Sequence, residues 1–140
     1  MKAPPARVFA LICAPERLPE WNVSVAHARR VTPDEPVGPG SRAIMSGRLL
    51  GQSLESETEV VEFDAPNVFV TRAIRGPRLT TRFSLDAVED GTDVKVDVMG
   101  DVPGGAIGER LAEGFLRREL TTSLRRLQAL LEADAQESIA

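Results

Sequence analysis

Between residues 23 and 100 the apolar side chains recur mostly at every second position, and beyond Pro103-Gly104-Gly105 the spacing lengthens to that of a helix. This change of period restricts the fold more than any other feature. A period of two sends neighbouring side chains to opposite faces of a strand, whereas a helical period gathers them into one stripe. Consecutive strands with one dry face, followed by one long amphipathic helix, pack as an antiparallel sheet covered on that face, an α+β arrangement. Turn-forming clusters divide the period-two region into about six strands, near 23–32, 42–50, 52–63 (with Gly51 between these two), 68–74, 79–88 and 93–100. Leu116, Leu120, Leu124, Leu127 and Leu131 mark the helix, which is expected to run to about Ala133. Ile107, Leu111 and Phe115 form a second stripe on roughly the opposite side, so either the helix bends near Gly114 or its first half meets another surface. Upstream, Pro4 and Pro5 open a short helix over 6–12, and Pro15 opens a second helical turn over 15–21.

A chain of 140 residues fits one core, here assigned to 1–133 with a flexible tail at 134–140. The formal charge of -4 argues against a surface that tracks nucleic-acid phosphates. No uninterrupted apolar run approaches the roughly 20 residues that span a bilayer, and Met1-Lys2-Ala3-Pro4-Pro5 lacks a signal-peptide core, so the expected location is cytoplasmic. Cys13 is the single cysteine and His27 the single histidine, which leaves neither an internal disulfide nor a Cys/His zinc site. No Gly-rich phosphate loop or nucleotide fingerprint is present, and no cofactor or metal is expected. Arg110, Arg117, Arg118, Arg125 and Arg126 crowd the last helix, but Glu109, Glu113 and Glu119 are interleaved, the pattern of a solvated face.

Several local phrases occur in a telling order. Ala3-Pro4-Pro5-Ala6-Arg7-Val8-Phe9 leads to Leu18-Pro19-Glu20-Trp21-Asn22; then come Gly38-Pro39-Gly40-Ser41-Arg42, Val60-Val61-Glu62-Phe63-Asp64-Ala65-Pro66, Phe83-Ser84-Leu85 before Asp90-Gly91-Thr92, and Leu124-Arg125-Arg126-Leu127. In this order the chain resembles the polyketide cyclase/dehydrase-like, START-related (SRPBCC) superfamily over nearly its whole length. The resemblance implies a helix-grip fold, whose curved sheet wraps the last helix and leaves a hydrophobic tunnel for lipids, sterols or polyketides. It does not imply a reaction. Domains of this kind begin with a strand that pairs with the last one, yet only Met1-Lys2 precede Ala3. Either the start is internal to a longer natural protein, or the last strand is left as an open edge that invites a homodimer.

With Val23, Val25 and Val31 turned toward the helix, alternation places His27 and Arg29 inward. His27 is then a candidate acid/base or ligand donor, or a structural histidine; Arg29 is a candidate anchor for a carboxylate or phenolate at the cavity mouth. A three-residue loop, Gly76-Pro77-Arg78, turns Phe69, Thr71, Phe83 and Leu85 inward and leaves Glu57, Glu59 and Arg72 as an exposed charge ladder. The alternative register buries Glu59 beside Arg72. Trp21, Met45, Phe69, Phe83, Met99, Leu111 and Phe115 are candidates to line a ligand site or to fill a core. The expected ligand-binding set is therefore Trp21, Val25, His27, Arg29, Met45, Phe69, Thr71, Phe83, Leu85, Leu111 and Phe115, with no catalytic set. Binding or transport of a small hydrophobic molecule is the leading expectation. A cyclase, aromatase or dehydratase using His27 with Arg29 or Arg72, and an interaction module dimerising through the sheet edge, are the alternatives.

Overall fold

The computed structural model describes residues 1–49, 52–100 and 105–139, the last segment with side chains from 117 to 135. Helix α1, Pro5–Ile12, starts on a proline that needs no amide partner there, and buries Val8, Phe9, Leu11 and Ile12. It ends where the Cys13 amide donates to the Phe9 carbonyl at 3.0 Å. A single 3₁₀ turn, Pro15–Arg17, leads into α2, Leu18–Trp21. Six strands follow: β1 (Val25–Arg30), β2 (Arg42–Leu49), β3 (Gln52–Asp64), β4 (Val68–Arg75), β5 (Leu79–Val88) and β6 (Gly91–Gly100). They pair antiparallel in chain order, with β1 and β6 at the two edges. Helix α3, Gly105–Ile139, closes the chain and continues past the end expected near Ala133. The side chains of Ile107, Leu111 and Phe115, and with them the question of a bend near Gly114, lie outside the described residues.

Side-chain size changes along the concave face. At one end Phe63, Phe69, Phe83 and Leu85 meet α1 and α3: Phe9 packs edge-on against Phe63 and Phe69 with ring centroids 5.3 and 6.0 Å apart. Leu127 and Leu131 of α3 are fully buried in the same cluster, as the leucine stripe requires. Edge-to-face ring contacts add about 0.5–1.5 kcal/mol each beyond burial, so this end is the tightly packed core. Toward the other end the inward positions hold Gly47, Ser56, Thr58, Thr71, Ala73 and Thr81. Side chains this small cannot reach across to the helices.

The outer face carries the expected charge ladder. Arg72 meets Glu59 at 3.5 Å, Arg75 meets Glu55 at 3.0 Å and Arg42 meets Glu57 at 3.8 Å. Val70, although on this face, is only 6% exposed. Its register partners Glu62 and Arg82 flank it and join at 2.8 Å, so their side chains bridge over it. Faces on β4 and β5 follow the expected alternation, but Phe69 pairs with Phe83 and Thr71 with Thr81, two residues away from the pairing a three-residue loop implies. An even offset conserves the face, so Phe69, Thr71, Phe83 and Leu85 still point inward.

The first residue joins the sheet. The Met1 amino group donates to the Thr92 carbonyl at 2.6 Å, and the Thr92 amide donates back to the Met1 carbonyl at 2.8 Å. Thr92 is 1% exposed, and its hydroxyl donates to the Ala3 carbonyl at 2.7 Å. Gly91 permits this approach, because a Cβ there would sit 1.9 Å from the Met1 oxygen. Met1 thus occupies the open side of β6 at Thr92, where the resemblance calls for a first strand.

Candidate functional site

The small residues of the concave face leave a cavity of about 240 Å³, partly open to solvent, between the sheet and helices α2 and α3. Ile12, Leu18, Trp21 and Leu120 form the helical wall, and Met45, Leu54, Leu79 and Val98 stand on the strands opposite. Six residues of the expected ligand-binding set line it: Trp21, Val25, Met45, Phe69, Thr71 and Phe83. Leu85 belongs instead to the packed core at 1% exposure. Leu111 and Phe115 lie outside the described side chains. Met99 faces outward at 61% exposure, because inward positions on β6 fall on Val94, Val96 and Val98.

His27 and Arg29 do not reach the cavity. Val25 pairs with Gly47 and His27 with Ser46, so Ala26 is an extra residue, a β-bulge that shifts the alternation by one. Beyond it His27 and Arg29 are exposed, while Ala28 and Arg30 are partly buried. Gly47 is the reason a bulge fits here: a Cβ on it would lie 1.8 Å from the Ser24 carbonyl oxygen, which accepts the Arg48 amide at 3.1 Å. A glycine inside a strand pattern is the signal for such a close approach.

Arg30 takes the rim position that alternation had given to Arg29. Its Nε donates to Glu16 at 2.9 Å and one terminal nitrogen donates to the Glu35 carbonyl at 3.1 Å. Partial burial would raise the Glu16 carboxyl, but the Arg30 hydrogen bonds outweigh it and hold that group below its ordinary value. Cys13 also lines the cavity. Burial pushes its thiol up, partly opposed by a backbone hydrogen bond, which disfavours the nucleophilic thiolate.

One wall is polar. The Ser123 hydroxyl, 3% exposed, accepts the Val23 amide at 3.1 Å; Asn22 Oδ1 accepts the Ser24 amide at 3.0 Å; and the Ser24 hydroxyl donates to Glu119 Oε2. Glu119 and Ser123, one helical turn apart on α3, interrupt the leucine stripe on its cavity side. Polar residues adjoining an apolar stripe are the sequence signal for this wall, but the arginines interleaved with Glu119 give it the pattern of a solvated face. Trp21 is 1% exposed, and its indole N–H is unpartnered among the described residues. No group of three His, Cys, Asp or Glu side chains suited to a metal occurs among the described residues.

A six-stranded antiparallel sheet curved around a C-terminal helix, with short N-terminal helices and a cavity between, defines the helix-grip class. Many solved structures share it, among them the following three. A protein from Thermus thermophilus superposes with a TM-score of 0.76 at 20% identity, over 96% of this chain and 93% of that one. A protein from Nitrosomonas europaea gives 0.76 at 18% identity, over 97% and 92% of the two chains. A START superfamily protein from Mycobacterium smegmatis gives 0.75 at 19% identity, over 93% of each. No curated protein matches by sequence. The chain belongs to the polyketide cyclase / dehydrase and lipid transport family, whose model matches residues 1–132.

Proposed function

We propose that this protein binds and carries a small hydrophobic molecule in the cavity between sheet and helices. The observation that supports this most is the gradient of side-chain size: the sheet fills its interior with phenylalanines at one end and hollows it with Gly47, Ser56, Thr58, Thr71, Ala73 and Thr81 at the other. A protein interior is ordinarily close-packed, and a void loses dispersion contacts that no described residue restores. A bound apolar ligand restores them. At about 240 Å³ the cavity falls below the roughly 300–1,000 Å³ of most small-molecule pockets, which favours a single short chain or a one- or two-ring compound over a two-chain lipid.

The enzymatic reading, a cyclase, aromatase or dehydratase, draws less support because His27 and Arg29 are exposed outside the cavity and Arg72 is on the outer face. A cytoplasmic location agrees with the free Cys13; among the described residues no helix is long and apolar enough to cross a membrane. Native mass spectrometry of the purified protein, followed by denaturing extraction, tests the proposal. A released apolar compound at near one-to-one ratio is expected. A protein that neither co-purifies with nor takes up any apolar compound would sink it.

A further inference from the structure

We infer that Glu119 is the polar anchor of the cavity, and that the ligand is amphipathic, with a hydroxyl or amine that donates a hydrogen bond to this carboxylate. The inference rests on the binding reading above and specifies its ligand class. Glu119 is partly buried on the α3 wall, where it lines the cavity beside Leu120 and Ser123. Its Oε2 accepts the Ser24 hydroxyl, and Ser24 is fixed by Asn22 through its amide and by the Arg48 amide through its carbonyl. The carboxylate is therefore held in place. Its other oxygen, Oε1, has no hydrogen bond or ion pair with any described residue.

Among the described residues, the other charged groups that line the cavity are Arg30, Arg42 and Arg48. Arg30 is committed to Glu16 and to the Glu35 carbonyl, and Arg42 reaches Glu57. Arg48 also lines the cavity, but it is exposed and follows the inward Gly47 on the outer alternation of β2. A half-buried carboxylate with an open lone-pair side, facing a mostly apolar space, gains most from a donor that arrives with the ligand. An acidic ligand would instead face like charge there.

The chain's single tryptophan, Trp21, lines the same cavity, so its fluorescence reports occupancy. Decylamine, decanol and decanoate share one apolar chain, do not absorb with tryptophan and differ only in the head group. Each is titrated, below its aggregation limit and at neutral pH, into the full chain, the near-isosteric variant Glu119→Gln, and the control Glu89→Gln, which removes the same unit charge from the exposed β5–β6 turn. The expected result is a wild-type preference for decylamine over decanoate that falls about tenfold in Glu119→Gln, the loss of one charge-assisted hydrogen bond, and is unchanged in Glu89→Gln. Equal amine-to-acid ratios in wild type and Glu119→Gln, equal losses in both variants, or a wild-type preference for decanoate would overturn the anchor while leaving the cavity a binding site. If none of the three compounds binds the wild type, the binding reading falls and the anchor falls with it.

Discussion

Replacing Ala73 by leucine distinguishes a hollow interior from a filled one through the sign of a stability change. Ala73 points inward from β4, opposite Thr58 on β3 and two residues from Thr71, and all three line the cavity. The substitution adds three carbons. Fully buried, at about 0.8 kcal/mol each, they contribute about 2.4 kcal/mol; because Ala73 is only partly buried, about half of that, near 1 kcal/mol, is the expected gain. In a well-packed interior the same insertion costs about 1–3 kcal/mol, because neighbours must leave their rotamers. Urea unfolding followed by Trp21 fluorescence and by far-ultraviolet circular dichroism measures the difference, and decanol titration measures binding on the same sample. The expected variant is as stable as wild type or more so, and binds decanol at least tenfold more weakly. A loss of 1 kcal/mol or more, or unaltered decanol binding, would refute the argument that the small residues keep open a ligand site.

Substitutions at three further positions and one modification test other parts of the structure. Gly47→Ala forces a Cβ to within 1.8 Å of the Ser24 carbonyl oxygen, so β1 and β2 must separate; a loss of about 2 kcal/mol or more is expected in urea titration, and an unchanged midpoint would count against the observed bulge. Thr92→Val leaves the Ala3 carbonyl without its hydroxyl donor; it should cost about 1–3 kcal/mol, while Thr92→Ser restores most of the stability, and equal losses in the two would exclude the hydrogen bond as the cause. Leu127→Ala empties a fully buried position in the α3 seam and should cost about 2–5 kcal/mol by thermal or urea unfolding. Cys13, with its thiol raised by burial, should react with iodoacetamide several-fold more slowly in the folded than in the urea-unfolded protein at the same pH, and more slowly again with decanol bound; equal rates throughout would place the thiol outside the cavity.

The architecture was legible because it depends on period alone. Six strands, their order and the covering helix follow from where the spacing changes from two to helical, and even the two-residue offset between β4 and β5 did no harm, since an even slip preserves the face. The site depends on parity, which a single inserted residue reverses. On β1 the valines at 23, 25 and 31 suggest one unbroken face, but the bulge at Ala26 sends His27 and Arg29 outward and Arg30 to the rim. Alternation cannot register that event. The information lay in the neighbouring strand, at Gly47, whose missing side chain admits the Ser24 carbonyl.

The cavity itself is recorded as what the inward positions lack. Thr58, Thr71, Ala73 and Thr81 alternate as properly as Phe63, Phe69 and Phe83, so a pattern of apolar and polar residues treats both ends of the sheet as core. Only their sizes, compared across four strands once the register is known, separate the filled end from the hollow one. The same register explains why the polar wall falls on α3. Where the sheet carries small residues the helix does not have to bury a leucine against it, and Glu119 and Ser123 can stand beside Leu120 without loss of packing. The hollow and the polar group facing it therefore have one origin, the small side chains at one end of the sheet, and enlarging those side chains should remove the space that a ligand held by Glu119 would occupy.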